Sequence, residues 1–300
     1  MLSKKVATLL VSLIACSSIS LACDVCGCMP LSLGNAWTGM QNKHVLSLES
    51  RYVRFHSHDG TTGASDRLVQ VNLAGRFVVG KRSRFSLNVP FSRLSRDFEE
   101  SSDPNIAVKG LGDVSLMAEY QIWRSSPDSM GEHHHKVWLG GGIKAPTGAF
   151  QANKTSFFLP PNFQMGTGSW DWLGSLMYQG DVAKWSWTVS AIARLSSENQ
   201  LGFKLPDMTQ VQGLLQRQFP AANATWVTGG GVYAEYIGTT SFLGINTESS
   251  GNGTYGMFNL SYVKLSWALN TSAQLPITTQ YSGGNVQAKP RFTLRFSYVL

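Results

Sequence analysis

The chain has 300 residues, and only 14% of them are charged, against about 25% in ordinary soluble domains. It carries thirty Gly, nine Trp and nine Tyr, yet no stretch approaches the roughly 20 apolar residues of a membrane helix. The formal charge of +7 is spread without a Lys/Arg run, which speaks against a nucleic-acid surface; low charge, many aromatics and no apolar helix point to a membrane β-barrel.

Met1 to Ala22 reads as a secretion signal. Lys4 and Lys5 give the charged start, Val6 to Ile14 the apolar run, and Ser20-Leu21-Ala22 the small residues before a cut. Leu13-Ile14-Ala15-Cys16 resembles a lipobox, so lipoprotein processing is the rival. Loss of Lys4 and Lys5 leaves 23 basic and 18 acidic residues, a formal +5. Residues 23–42 then form a Cys-rich segment, expected in the periplasm, and 43–300 the barrel.

Strands are expected from near His44, the first being the least regular. Arg67 to Val79 alternates cleanly: Val69, Val71, Leu73, Phe77 and Val79 on one face, Gln70, Asn72 and Arg76 on the other. Gly80-Lys81-Arg82-Ser83 is a turn, and Phe85, Leu87, Val89 and Phe91 make the next apolar face. Asp97 to Lys109, acidic and holding Pro104, reads as a long loop. Val114 to Ile122 is the next strand, with Ser115, Glu119 and Gln121 inward. After a turn at Ser125 to His135, Val137, Leu139, Gly141 and Ile143 alternate with Lys136, Trp138 and Lys144. Thr147 to Gly168 is a second long loop. Trp170 to Tyr178 opposes Asp171, Ser175 and Gln179. Trp185 to Leu195 opposes Ser186, Thr188, Ser190 and Arg194, with two Trp suited to an interfacial girdle.

Parity then decides. Both ends of a bacterial barrel normally face the periplasm, so the strand number is even. Seven strands precede Ser197. Five follow: Thr225–Tyr236, Thr240–Ser249, Thr254–Tyr262, Lys264–Ile277 and Lys289–Leu300, which makes twelve. Ser197 to Ala224 is left as an outer loop. Within it, Pro206-Asp207 followed by Met208, Val211, Leu214 and Leu215 predicts a short surface helix ended by Pro220. The last strand puts Phe292, Leu294, Phe296, Tyr298 and Leu300 on one face and Arg291, Thr293, Arg295 and Ser297 on the other. That pattern suits lipid outside and a watery lumen inside, and the strand is expected to pair with the first.

Four phrases carry a resemblance: Gly110-Leu111-Gly112-Asp113-Val114, Gly142-Ile143-Lys144-Ala145-Pro146-Thr147-Gly148, Gly166-Thr167-Gly168-Ser169-Trp170-Asp171, and Gln274-Leu275-Pro276. In this order they resemble the outer-membrane "putative MetA-pathway of phenol degradation" family of transporter-like barrels, over roughly Lys43 to Leu300. The resemblance implies a twelve-stranded barrel in the outer membrane of a Gram-negative bacterium, loosely related to channels for hydrophobic compounds. It also implies outer-membrane lipid, a small-molecule solute and the barrel-assembly machinery as partners.

Cys23-x-x-Cys26-x-Cys28 stands outside that pattern. Three thiols this close suit a soft metal, copper or zinc. A disulfide with one spare thiol, or lipid on Cys23, are the alternatives. His133-His134-His135 and the pair His56 and His58 read as solvated histidines before they read as ligands. No GxSxG, HExxH or P-loop occurs, so no enzyme is expected. The expected function is passive passage of a small solute, anionic or aromatic and hydrophobic. The second reading is a metal-handling or structural envelope protein anchored by the barrel. The residues expected to face the lumen and set selectivity are Arg76, Glu119, Lys136, Lys144, Asp171, Arg194, Glu235, Lys264, Arg291 and Arg295, seven basic and three acidic.

Overall fold

A computed structural model describes residues 43–59, 62–99, 105–125, 133–150, 163–246 and 250–300. Fourteen stretches join one antiparallel sheet. Two pairs of them are single strands interrupted by an irregularity, so the wall has twelve strands. In chain order they are Val45–Asp59, Thr62–Val79, Ser83–Phe98, Ile106–Leu111 continued by Ser115–Arg124, His133–Lys144, Asp171–Val182, Trp185–Ser196, Met208–Ala221, Ala224–Ile237, Gly251–Lys264, Trp267–Tyr281, and Val286–Ala288 continued by Arg291–Val299. Each pairs with its chain neighbours. The first also pairs with the last, from Val45↔Val299 to Tyr52↔Phe292, which closes the barrel.

Closure removes every edge and satisfies the backbone within the wall, the condition for a sheet to stand in lipid. The outer face meets that condition too. Each strand exposes a large apolar side chain: Leu48, Leu73, Phe91, Leu116, Leu139, Leu176, Val189, Leu215, Val232, Phe258, Leu275 and Phe296 are 43–59% exposed. At one end of the barrel a chain of rings runs from Trp226 to Tyr262, Trp267 and Phe296, with centroids 4.8, 5.5 and 6.1 Å apart. This is the aromatic girdle of a membrane interface. The same end holds both ends of the wall and the tight turns at 80–82, 183–184, 222–223 and 265–266. The opposite end holds the longer connections 145–170, 197–207 and 238–250.

The strand number of twelve is as expected, but two assignments behind it change places. Met208–Ala221 is a wall strand, not a surface helix. Met208 and Leu214 point inward and are buried, whereas Val211 and Leu215 point outward and are exposed. Apolar residues on both faces blur the period of two and mimic helical spacing. Thr240–Ser249 is not in the wall. Ser241–Phe242 and Ile245–Asn246 form a small hairpin over Phe203–Lys204. Leu243 (φ 50°) and Gly244 (φ 79°) give its turn the paired positive φ values of a two-residue hairpin. The segment expected as one outer loop, Ser197–Ala224, is therefore divided: 197–207 lies at the long-loop end and 222–223 at the opposite end.

One irregularity positions the lumen. Asn88 pairs with Ser115 and Phe91 with Leu111, so Gly112-Asp113-Val114 opposes only Val89-Pro90. The extra residue flips the parity of the fourth strand. Ile106 and Val108 face inward before the bulge, and Ser115, Met117 and Glu119 after it.

Candidate functional site

The inward faces build the site, and they divide the lumen into two parts. Toward the turn end it is lined by small polar side chains. Ser86, Ser175, Gln179, Ser186, Gln216 and Asn259 are buried there and hold atoms without a hydrogen-bond partner among the described residues. These side chains make this part of the lumen polar, beside a small apolar cluster of Val45, Val227, Val263 and Ala268.

Toward the loop end an apolar layer crosses part of the lumen. Val53, Phe55, Leu94, Met208, Tyr233, Ile237, Tyr255, Met257, Tyr281 and Val286 meet in one buried cluster that crosses from wall to wall. Two of its members, Phe163 and Met165, belong to the 145–170 connection, and Phe163 is 1% exposed. The described end of that connection, at Phe163 and Met165, thus enters the barrel.

Asp113 at the bulge ties it down. Its Oδ1 accepts from the Gly148 N–H (2.9 Å), and its Oδ2 from the Thr167 N–H and hydroxyl (both 2.8 Å) and from Lys144 Nζ (2.7 Å). Lys144 also contacts Thr167 Oγ1 and lies 2.8 Å from Asp171 Oδ2. The Val114 N–H donates to Thr147 Oγ1 at 2.8 Å. Glycine is required where the backbones touch: a Cβ on Gly166 would lie 2.4 Å from the Gly148 carbonyl oxygen, and one on Gly148 2.9 Å from the Gly112 carbonyl carbon. Three of the four phrases noted in the sequence are thus one knot in space. The fourth, Gln274-Leu275-Pro276, lies in the eleventh strand, where Tyr255 pairs with Pro276 at a register shift.

The same layer holds a charged network. Arg291 reaches from the twelfth strand to Glu235 on the ninth, with Nη2 2.6 Å from Oε1 and Nη1 3.0 Å from Oε2. Tyr233 donates to the same carboxylate at 2.7 Å, and Tyr281 donates to its other oxygen. The Arg291 guanidinium stacks 4.1 Å from the Tyr255 ring centroid and 5.7 Å from that of Phe55. Nearer the turn end Arg84 grips Glu119 with two bonds of 2.7 and 2.9 Å and lies over Trp138 at 4.0 Å. At the loop end Arg96 grips Asp66 with bonds of 2.7 and 2.9 Å and lies 5.5 Å from the Phe163 ring centroid. Arg295 donates to Glu49 at 2.7 Å.

Of the residues expected in the lumen, the structure places Glu119, Lys144, Asp171, Arg194, Glu235, Arg291 and Arg295 inward and buried, and Arg76 and Lys136 inward and half-buried. Lys264 requires correction: it lies on the outward parity at the 265–266 turn and is exposed. Sequence reading missed Glu49, Asp66, Arg84, Arg96 and Asp113. Arg84 was available from parity with Ser86 and Asn88. Asp66 and Arg96 lie where strands continue past their expected ends. With Lys264 outside, and with Arg51, Arg84 and Arg96 and three more acids inside, nine bases face six acids among the described residues, a surplus of three where four was expected, and most lumen charges are paired. Arg51, Arg76 and Lys136 face inward without a carboxylate against them among the described residues.

Cys23, Cys26 and Cys28 lie outside the described residues. His56 and His58 meet edge to face outside the wall, with ring centroids 4.4 Å apart, and His135 Nδ1 lies 2.9 Å from the Tyr178 hydroxyl. No group of three His, Cys, Asp or Glu side chains suited to a metal occurs among the described residues.

No family model matches the sequence, and a search of curated proteins finds no match. Among solved structures, the barrel is similar to an outer membrane channel from Pseudomonas putida F1: TM-score 0.63, 12% identity, covering 86% of this chain and 96% of that one. It also aligns with the β-domain of the Bordetella autotransporter BrkA at TM-score 0.48 and 9% identity, over 86% of this chain and 100% of that one.

Proposed function

We propose that the barrel is an outer-membrane channel that passes a small, largely apolar or aromatic solute, with its long loops facing outward and its N-terminal segment in the periplasm. The observation that carries this reading is the apolar layer across the loop end of the lumen, completed by Phe163 and Met165 and locked by Asp113. A hydrated ion entering that layer loses water and meets charges that already hold one another, Arg291 with Glu235 and Arg96 with Asp66, a cost of several kcal/mol. An aromatic solute loses little and gains contact with Phe55, Tyr255 and Met257. Within the layer Arg291 and the tyrosine hydroxyls offer a polar edge, and the polar residues of the turn half line the way out. The charges hold one another, so they brace the wall more than they recruit counter-ions. The similarity in fold to an outer membrane channel supports the reading.

The test is flux through purified protein in liposomes. A small neutral aromatic is expected to equilibrate faster than a sugar of similar size, with low chloride conductance in planar bilayers. Fast, size-limited passage of sugars and salts alike would make it a general pore and end the proposal.

A further inference from the structure

Basic side chains on the outer face of the wall at the loop end gather in one sector, beside the acidic Asp97 and Glu99. Arg54 on the first strand lies directly opposite Arg67 on the second. The Lys289 N–H donates to the Arg54 carbonyl at 3.1 Å, which sets Lys289 on the other side of Arg54. Arg93 on the third strand lies directly opposite Lys109 on the fourth. Arg93 and Arg67 sit on adjacent strands, diagonal to each other. All five side chains are exposed. Opposed side chains start about 5 Å apart and diagonal ones about 7–8 Å apart, so the five form one continuous patch.

Two like-charged pairs placed directly opposite each other destabilise a sheet. Arg67 is offset by an exposed contact with Asp97. Among the described residues no carboxylate lies against Arg54, Arg93, Lys109 or Lys289. One step toward the membrane the same strands turn apolar, with Tyr52, Val69, Phe91, Leu111 and Phe292 outward. The corresponding outward positions of strands six to eleven are Trp172, Leu195, Val211, Tyr236, Asn252 and Ile277, with no charge. The basic patch therefore lies at headgroup level, on top of a lipid-facing surface, on one side of the barrel only.

The geometry points to a binding site for a phosphorylated glycolipid of the outer leaflet, its phosphates on Arg54, Arg93, Lys109 and Lys289 and its acyl chains against the apolar residues below. This rests on the orientation proposed above, in which the long loops face outward. A phosphate supplies the missing counter-charge, and guanidinium groups hold it with paired hydrogen bonds. Bisphosphorylated lipid A is the matching chemistry, because it offers two anionic groups over a single acyl footprint.

The test reconstitutes the full barrel in phosphatidylethanolamine vesicles containing a minority of lipid A, then reads retained lipid by native mass spectrometry after transfer to detergent. Wild type is expected to retain lipid A. The triple variant Arg54→Ser, Arg93→Ser, Lys109→Ser should retain about tenfold less or lower, since each basic group near an anionic surface is worth about 1 kcal/mol. A control at the turn end, Lys81→Ser, Arg82→Ser, Arg124→Ser, should match wild type, and dephosphorylated lipid A should not be retained. Heat-modifiable gel mobility verifies folding; should the triple variant not fold, Arg93→Gln alone is expected to show a smaller loss in the same direction. Equal retention by wild type and patch variants, or equal retention of phosphatidylglycerol and lipid A, would overturn the site. Aromatic flux should be unchanged in the patch variant. Absence of flux in wild type with lipid A still retained would count against the channel alone.

Discussion

Glu49 and Arg295 face each other directly across the seam where the last strand meets the first, with Arg295 Nε donating to Glu49 Oε2 at 2.7 Å. They are 246 residues apart in the chain. Both are nearly buried, so removal of one strands the other. Arg295→Ala is expected to destabilise the barrel by roughly 3 kcal/mol, seen as a lower urea midpoint for the folded gel band. The exchange Glu49→Arg with Arg295→Glu should recover much of that loss. Equal stability of wild type and Arg295→Ala would show that the pair contributes nothing to closure.

Phe163 and Met165 are expected to restrict ions. Phe163→Ala with Met165→Ala should raise single-channel conductance severalfold and lower the unfolding midpoint, because both side chains are buried in the apolar cluster and each truncation costs roughly 2–5 kcal/mol. Unaltered conductance would place the barrier to ions elsewhere.

Asp113 is expected to hold the 145–170 connection inside. Asp113→Ala removes four accepted hydrogen bonds and leaves Lys144 one carboxylate short, at a cost of about 3 kcal/mol. The connection should become a substrate for added protease in intact vesicles. Gly166→Ala tests the same knot without a change of charge, since its Cβ would meet the Gly148 carbonyl oxygen at 2.4 Å. Protection of both variants equal to wild type would dismiss the knot as an anchor.

Topology gives a fourth outcome. A tag inserted at Gly244 should be labelled on intact cells, and one at 222–223 only after the membrane is opened. Leu215→Arg should cost about 2–4 kcal/mol as a lipid-facing change in the wall. In a surface helix it would cost almost nothing.

How far the fold was legible depended on what each face touches. Trp185–Ser196 alternates because its outward side meets lipid and its inward side meets the polar half of the lumen. Met208–Ala221 does not, because Met208 and Leu214 enter the apolar layer while Val211 and Leu215 meet lipid. Nothing local announces that a lumen is apolar at one depth; that follows only when seven strands and a connection are assembled. The exposed Phe242, Leu243 and Ile245 misled in the opposite direction, as apolar residues in a hairpin outside the wall. Asp113 was in view within its phrase, but its role required Gly148 and Thr167, 35 and 54 residues away, to arrive beside it.

The seam also sets a clock. Pairing of Val45–Tyr52 with Phe292–Val299 brings together the two extremes of the wall, and no earlier pairing substitutes for it. Until the twelfth strand arrives, the growing sheet carries two bare edges, each a template for another chain. Every other wall contact forms between neighbours in sequence, so the eleven hairpin steps are local and the last is the most remote in the molecule. Assembly is therefore expected to end on a single slow event, and a chain halted before Arg291 should accumulate as an open, aggregation-prone sheet instead of a smaller barrel.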